Sequence, residues 1–347
     1  MEDRMTQLLA DIEKLQKEKA ELQWANAPFS IDTIKDSDIP FYTGFPSRAV
    51  FDKVFAYFNP DPNGENLILN SSDSKGVSAT GTKTGRPRKP TPQNQFFLFL
   101  CRVRVGLMEQ YLANRFGVSV STVSNLVISW ANYIYLKLGV LNIWPSKQQI
   151  KSNMPSSFKE KYPSTRIIID CTEIKTQMSS SLLSKSMTYS NYKSSNTLKG
   201  LIGITPGGCV SFVSQLYTGC ISDQEITRRS GLLKMDFDDG DSIMADKGFE
   251  IQDLLDQMPV CVKLNIPPKL GLYGQMALLD VRDTQSIAAE RIHVERAINK
   301  IKNFHIFDQV IPISLSGSIN QIWTTCAVLT LFHNPIISCP IADSVLN

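Results

Sequence analysis

Arg166-Ile167-Ile168-Ile169-Asp170 sets three β-branched residues between a cation and a carboxylate. The run predicts a short strand, too apolar for a sheet edge, that ends in an aspartate. A second buried strand with the same ending is expected at Asp241-Ser242-Ile243-Met244-Ala245-Asp246, followed by Lys247-Gly248-Phe249. Between the two runs, Met187 to Tyr192, Lys199 to Ile204 and Val210 to Tyr217 predict an antiparallel meander beside the first strand. The Pro206-Gly207-Gly208 turn separates the last two of these. Ser222-Asp223-Gln224-Glu225 opens a helix that continues to Leu233, and Val260 to Leu264 is a further strand. An irregular loop is expected from Pro267 to Gly274. The fold class is therefore α/β.

The next stretch, Arg291 to Lys302, reads as a helix. Ile287, Val294, Ile298 and Ile301 recur at a helical interval and define one apolar face. At 100° per residue, Arg291, Glu295 and Lys302 share a narrow stripe that borders this face, with Ile292 on its other side. A glutamate at such a border is expected to be half-buried and to need a partner, and a metal ion is one that satisfies it fully. The alternative is an ordinary surface pair of Arg291 with Glu295, four residues apart. Further on, Ile319 to Phe332 is apolar but interrupted by Asn320, Gln321, Thr324 and Thr325, which predicts a packed helix rather than a membrane span.

Upstream, residues 93 to 138 predict three helices: Phe96 to Val103, Met108 to Phe116, and Val120 to Leu138 after the Gly117-Val118-Ser119 turn. Leu112, Val118, Val123 and Leu126 are spaced to close a small core, and Ser119 suits an N-cap. Ser121, Thr122, Ser124 and Asn125 are left to face outward on the last helix, as hydrogen-bonding groups without charge. This is a helix-turn-helix pattern with that helix as the DNA reader. Ahead of it, Phe45-Pro46-Ser47 caps a helix carrying Val50, Phe51, Val54, Phe55 and Phe58. Residues 59 to 92 are rich in Pro, Gly, Ser, Asn and Thr and read as a flexible linker. Within it, Gly85-Arg86-Pro87-Arg88-Lys89-Pro90 resembles an AT-hook, in which Arg86, Arg88 and Lys89 would enter an A·T-rich minor groove. A solvated basic linker or a nuclear-import signal fits the same residues. Met5, Leu8, Ile12, Leu15 and Leu22 step by threes and fours, with Lys19 breaking the series, which gives either a short coiled coil or an amphipathic terminal helix. Four units follow: a coiled-coil helix at 1–25, a small helical unit with the basic linker at 26–92, the helix-turn-helix at 93–145, and the strand-bearing domain at 146–340.

With 347 residues, 42% of them hydrophobic, the chain can bury a large core. A net charge of only +3 excludes a general basic coat for nucleic acid, so any DNA contact must come from local clusters. Seven scattered cysteines without a CxxC pair, and three scattered histidines, argue against a structural zinc site and fit reduced thiols. The first residues are charged and helix-forming, so no signal peptide is expected, and the expected location is the cytoplasm or nucleus, with no membrane association.

Two strands that each end in an aspartate, Asp170 and Asp246, and a helix that presents Glu295 make a set of oxygen ligands. Such a set can hold two Mg²⁺ ions roughly 3.5–4 Å apart and support in-line displacement at a phosphodiester. With no histidine in the set, Mg²⁺ or Mn²⁺ is favoured over zinc.

Asp170-Cys171-Thr172-Glu173, Met244-Ala245-Asp246-Lys247-Gly248-Phe249 and Arg291-x3-Glu295-x6-Lys302 resemble the signature of DDE transposases of the PIF/Harbinger and insertion-sequence-5-like group. Between Asp246 and Glu295 lie 48 residues, close to that group's spacing. Tyr189 to Gly203 and Ser222 to Gly231 also look like family stretches, and the resemblance spans about residues 95 to 335. It implies an RNase H-like catalytic domain, a mixed sheet flanked by helices, at 146–340. It also implies Asp170, Asp246 and Glu295 as metal ligands for DNA cleavage and strand transfer, with Arg291 and Lys302 near the scissile phosphate. Ala288 stands where a broader form of the signature has tyrosine. Glu290 is a competing third carboxylate, but Glu295 has the right offset to Arg291 and Lys302. Relatives often carry an N-terminal THAP zinc finger before a coiled coil, and a version without that finger is expected here. Duplex DNA, a Myb-like partner protein and a second copy of the chain are the partners the resemblance implies. A domesticated DNA-binding protein that no longer cuts, and a nonspecific metal-dependent phosphodiesterase, are the competing readings.

Overall fold

The computed structural model describes residues 29–58, 90–268 and 278–337, together with isolated positions outside these stretches. The basic motif with Arg86, Arg88 and Lys89 lies outside the described residues. Residues 1–25 are described only at scattered helical positions, so the heptad pairing expected there also lies outside them.

The structure is a mixed α/β assembly in which a curled mixed sheet is flanked by helices. Its centre is β1 (Thr165–Lys175), where Ile167, Ile168 and Ile169 are fully buried. On one side β3 (Ser195–Ile204) runs antiparallel to it, with Asp170 opposite Ile202 and Cys171 opposite Leu201. β4 (Val210–Val213) continues the sheet beyond β3, again antiparallel. The short β2 (Tyr189–Ser190) and β5 (Tyr217–Thr218) pair with the first part of β3. On the other side β6 (Ser242–Met244) lies parallel to β1, and β7 (Lys263–Asn265) lies parallel to β6. The triple isoleucine is thus central, as a run without polar alternation requires.

Two expectations are corrected here. β1 does not end at Asp170 but continues to Lys175, because residues 171–175 extend the antiparallel ladder with β3. This second half alternates polar and apolar residues, so an apolar-run criterion misses it. Met187 belongs to a helix, Leu182–Thr188, rather than to a strand, and β2 shrinks to two residues.

Each face of the sheet has its own core. Ile168, Ile174, Ile202 and Met244 point to one face, toward the helices Leu278–Lys302 and Ile319–Leu329. On the longer helix the expected apolar residues Ile287, Val294, Ile298 and Ile301 are all buried. Gly200 of β3 has to be a glycine, since a Cβ there would come within 2.8 Å of the buried Trp323 indole. Ile167, Ile169, Leu201 and Ile243 point to the opposite face, with Ile226 of the helix Asp223–Arg229 and with Trp144 and Phe237. Among the described residues no helix is long and apolar enough to cross a membrane.

The N-terminal helices share the first core. The helix Arg48–Phe58 sets Phe51, Phe55 and Phe58 around Phe96 of the helix Pro92–Leu100, which continues as a π-helical turn over Cys101–Val105. Trp130 closes the group, with its ring centroid 5.1 Å from that of Phe96. The helices Glu109–Phe116 and Val120–Leu138 meet across Gly117, and Leu112, Val123 and Leu126 are buried between them. Ser119 caps the second of these, accepting a hydrogen bond from Thr122 N at 3.1 Å. Farther along, the same helix packs on Ile319–Leu329, and Thr325 Oγ1 donates to the Ala131 carbonyl at 3.5 Å. One helix therefore joins the helix-turn-helix to the layer that covers the sheet.

Candidate active site

Asp170 leaves β1 on the face covered by Leu278–Lys302, the catalytic-helix candidate. Its Oδ1 accepts the Cys171 amide at 2.8 Å. Asp246 lies two residues beyond β6, beside β1, because the parallel pairing Ile168–Met244 brings the end of β6 next to Asp170. Asp246 Oδ1 accepts the Lys247 amide at 2.7 Å and the Arg291 guanidinium at 3.1 Å. Arg291 is buried, and its Nε has no hydrogen-bond partner among the described residues. Glu295, one turn farther along the helix, lies within electrostatic reach of Asp170.

The charges at this point do not balance. Burial, first, and then the neighbouring Asp246 and Glu295 raise the Asp170 carboxyl from its ordinary value of 3.8 to about 6, against the opposing influence of Arg291 and the Cys171 amide. Lys302 closes the helix on the same stripe. Its ammonium is pushed down by burial and by Lys193, while Glu173 and Asp170 hold it up. The structure thus brings Asp170, Asp246, Glu295, Arg291 and Lys302 to one place. Glu290 is turned elsewhere: it is buried and accepts a hydrogen bond from Ser157 Oγ at 3.2 Å.

One expectation about this stripe is corrected. Glu295 is exposed rather than half-buried, and the buried member of the stripe is Arg291. The long guanidinium stem reaches across to Asp246 and covers apolar surface, whereas a third carboxylate beside two others keeps its charge hydrated.

Among the described residues no three His, Cys, Asp or Glu side chains are gathered tightly enough to hold one ion, and Asp246 is paired with Arg291. The donor chemistry nevertheless fits a hard divalent cation: three carboxylates lie near one another with Arg291 and Lys302, and the most buried of them is raised first by burial and then by the other two. Asp246 and Glu295 are exposed, and Asp170 is half-buried. The cavities beside Trp144 and Arg166 and beside Gln252 and Val260 lie apart from them.

A second cluster, which sequence reasoning passed over, lies under the opposite face of β1. Lys199 Nζ pairs with Asp223 Oδ1 at 2.7 Å and donates to the Ile221 carbonyl at 3.2 Å. The Cys171 thiol, pushed up by burial and then by the Asp223 charge, lies against the same carboxylate. A Cβ on Gly248 would stand 3.6 Å from Asp223 Oδ2. Asp223 therefore touches the residue after Asp170 and approaches the turn after Asp246. Its sequence signals, a capped helix start at Ser222 and the family-like stretches Tyr189 to Gly203 and Ser222 to Gly231, do not single out Lys199 or Asp223.

The four polar residues of the expected reader helix are also divided. Ser121 is exposed, Thr122, Ser124 and Asn125 are half-buried, and the hydroxyls of Ser121 and Thr122 lie 2.9 and 2.8 Å from Ser119 Oγ, within the cap.

Comparison with curated proteins found no match. Comparison with protein families found two. Residues 169–330, from the strand of Asp170 through the helix of Glu295, match the family described as DDE superfamily endonuclease. Residues 90–139 match the helix-turn-helix of DDE superfamily endonuclease. The chain carries a DDE superfamily endonuclease domain, preceded by that superfamily's helix-turn-helix.

Proposed function

We propose that the protein is a metal-dependent DNA endonuclease and transposase of PIF/Harbinger type, with an RNase H-like catalytic domain and Asp170, Asp246 and Glu295 as its metal ligands. The observation that carries this reading is the convergence of the three carboxylates, from two adjacent strands and one helix, with Asp170 raised by burial and by the other two. Two bound Mg²⁺ or Mn²⁺ ions would supply an activated water or 3′-hydroxyl on one side and stabilise the leaving oxygen on the other.

The chain's own residues do the rest. Asp170 is fixed by the Cys171 amide and ionises fully only above about pH 6, so it is ready to hold a cation at neutral pH. Arg291 keeps Asp246 neutralised until a cation takes that role, and its buried unpaired Nε favours a phosphate oxygen as the next partner. Lys302 adds a cation on the same stripe. The helix-turn-helix brings the duplex to this surface, and its reader helix, packed on Ile319–Leu329, holds the two at a fixed relation. Holding two DNA ends calls for a second copy of the chain. Nuclear location and dependence on a Myb-like partner belong to the same reading.

The test is cleavage of duplex DNA with Mg²⁺ or Mn²⁺ by the wild type, Asp246→Asn and Glu295→Gln. Metal-dependent nicking that disappears in both variants supports the assignment. DNA bound in a salt-dependent way but never cut, with nuclear extract added to provide a partner, would replace it with the domesticated binder.

A further inference from the structure

A cavity of about 520 Å³ opens where the connector that follows the helix Val120–Leu138 meets the start of β1. Trp144, Lys147, Arg166, Asp236 and Asp238 are among the residues that line it. Hydrogen bonds and ring contacts set its walls. Trp144 Nε1 donates to the Asp236 carbonyl at 3.0 Å, and the Trp144 ring meets that of Phe237 edge-on, 5.1 Å between centroids. Ser146 starts the next helix, Lys147–Ser152, with a capping box. A preformed hollow between two parts of a chain is a common place for a ligand.

Arg166 is the group that calls for one. The register of β1 on β6 shifts between Thr165 and Ile167, at Arg166. Its guanidinium packs on the Trp144 ring, 5.1 Å from the centroid, beside the core opposite to that of Ile168. An irregularity in a ladder re-aims a side chain in this way. The side chain is only 4% exposed, yet its Nε and Nη1 have no hydrogen-bond partner among the described residues. Nη2 reaches the Asp236 carbonyl at 3.5 Å. The buried Asp241 has Oδ2 3.6 Å from Arg166 Nε, but that oxygen accepts the Asp238 amide, and Oδ1 pairs with Lys147 at 2.8 Å. One buried carboxylate thus serves two cations. A single further negative charge would balance them and satisfy the idle donors, which are costly to bury unmet.

The rim says what the anion belongs to. Asp236 and Asp238 are exposed there. A DNA backbone would bring a row of phosphates against these two carboxylates. A lone carboxylate brings one charge, and cations beside it in its own chain would meet the two aspartates. We propose that this cavity receives an aspartate or glutamate side chain of a protein partner, held by the fork of Arg166, in a segment that places Lys or Arg on either side of it. The inference stands apart from the Asp170 site and from what that site cuts.

The experiment uses the full chain and fluorescence anisotropy with labelled probes: the end-blocked peptides Gly-Lys-Glu-Lys-Gly, Gly-Lys-Gln-Lys-Gly and Gly-Glu-Glu-Glu-Gly, and a short DNA duplex. The Lys-flanked glutamate peptide is expected to bind about 10–100-fold more tightly than its glutamine counterpart, the worth of a charge-assisted pair. Arg166→Met should abolish that preference and leave duplex binding unchanged, with Lys147 still pairing Asp241. Asp236→Lys changes an exposed side chain and keeps the carbonyl that Trp144 uses, so it reads the same site if Arg166→Met fails to fold. It should move the preference from the Lys-flanked to the Glu-flanked peptide. Equal binding of the glutamate and glutamine peptides would overturn the inference, as would no peptide binding at all, which would leave the Arg166 donors to water. Duplex binding lost in Arg166→Met would overturn it too, and would give the cavity to a DNA phosphate.

Discussion

Asp170 and Cys171 are neighbours on β1, yet they face opposite electrostatic worlds. On the Cys171 side the carboxylate of Asp223 has its own ammonium, Lys199, at 2.7 Å, and the cluster is closed. Burial works to lower Lys199, and the Asp223 pairing overrides it to raise that group. On the Asp170 side three carboxylates face two cations, Arg291, which is paired with Asp246, and Lys302, and burial first and then the neighbouring carboxylates raise Asp170 to about 6. Groups arranged only for stability are paired, because an unpaired buried charge costs several kcal/mol. A group left short of counter-charge is arranged for something that arrives later. That difference, one strand thick, separates the supporting cluster from the candidate reactive one.

The largest effect is expected where the imbalance is. Asp170→Asn should lower metal-dependent DNA cleavage by at least ~10³-fold, as loss of a member of a catalytic unit does. Cleavage by the wild type should also rise with pH through about 6 and level off near pH 7, about one unit higher, since the ligand must be ionised to hold a cation. A single-turnover nicking assay across pH 5 to 8 reads both outcomes. A rate still climbing well above pH 7 would mean that a group other than Asp170 limits it.

Next is the closed cluster. Asp223→Asn leaves Lys199 without its counter-charge and loosens the contact with Cys171 and the Gly248 turn. Cleavage should fall by about 10–100-fold, the range for partners that orient metal ligands. If Asp223 acts by position alone, raising Mg²⁺ restores part of the rate. A loss as complete as that of Asp170→Asn, with no recovery at high Mg²⁺, would move Asp223 into the reactive cluster and erase the contrast between the two sides.

Much of this was legible beforehand, for identifiable reasons. The triple isoleucine announced a central strand because no edge strand can be that apolar, and the period of Ile287, Val294, Ile298 and Ile301 gave the covering helix and its buried face. The helix-turn-helix could be read from Gly117 and the Ser119 cap, which punctuate two helices at a fixed distance. What escaped depended on pairing across the chain. The second half of β1 is held by β3, about thirty residues on in sequence. Lys199 and Asp223 look like ordinary surface residues until β3 and the following helix are packed together. The exposure of Glu295 was misjudged because a helical wheel gives direction but not what lies opposite, and what lies opposite is the Arg291 side chain closing on Asp246.

A third prediction turns the imbalance into stability. Asp170 binds its proton more tightly folded, at about 6, than the ordinary 3.8, so its contribution to stability is fully present below about pH 4 and is lost as pH rises through about 6. Above that, the buried charge works against the fold. Asp170→Asn cannot ionise, so without divalent metal it should be more stable than the wild type at pH 7.5 by about 1–2 kcal/mol. The gap should close near pH 4. Thermal melting in a chelator at the two pH values measures it, and added Mg²⁺ should raise the wild-type Tm while leaving the variant's in place. Equal melting temperatures at pH 7.5 would show that Arg291 already balances the cluster.

The smallest effect tests where the reactive cluster stops. Glu290 shares the helix with Glu295 and is the more buried of the two, so burial alone would make it the better candidate ligand. Its direction says otherwise, since it accepts from Ser157 Oγ, and half-buried His293 lies within its electrostatic reach. Glu290→Gln keeps an acceptor for the Ser157 hydroxyl and nearly the same volume. It should change cleavage by less than about 3-fold and stability by no more than about 1 kcal/mol, the worth of one hydrogen bond. Glu295→Gln, at an exposed position where stability has little to lose, should do the reverse: leave the Tm nearly unchanged and remove the activity. A Glu290→Gln variant as inactive as Glu295→Gln would move the metal toward Ser157. The boundary drawn along this helix, between a carboxylate used for packing and one held out for a cation, would then be in the wrong place.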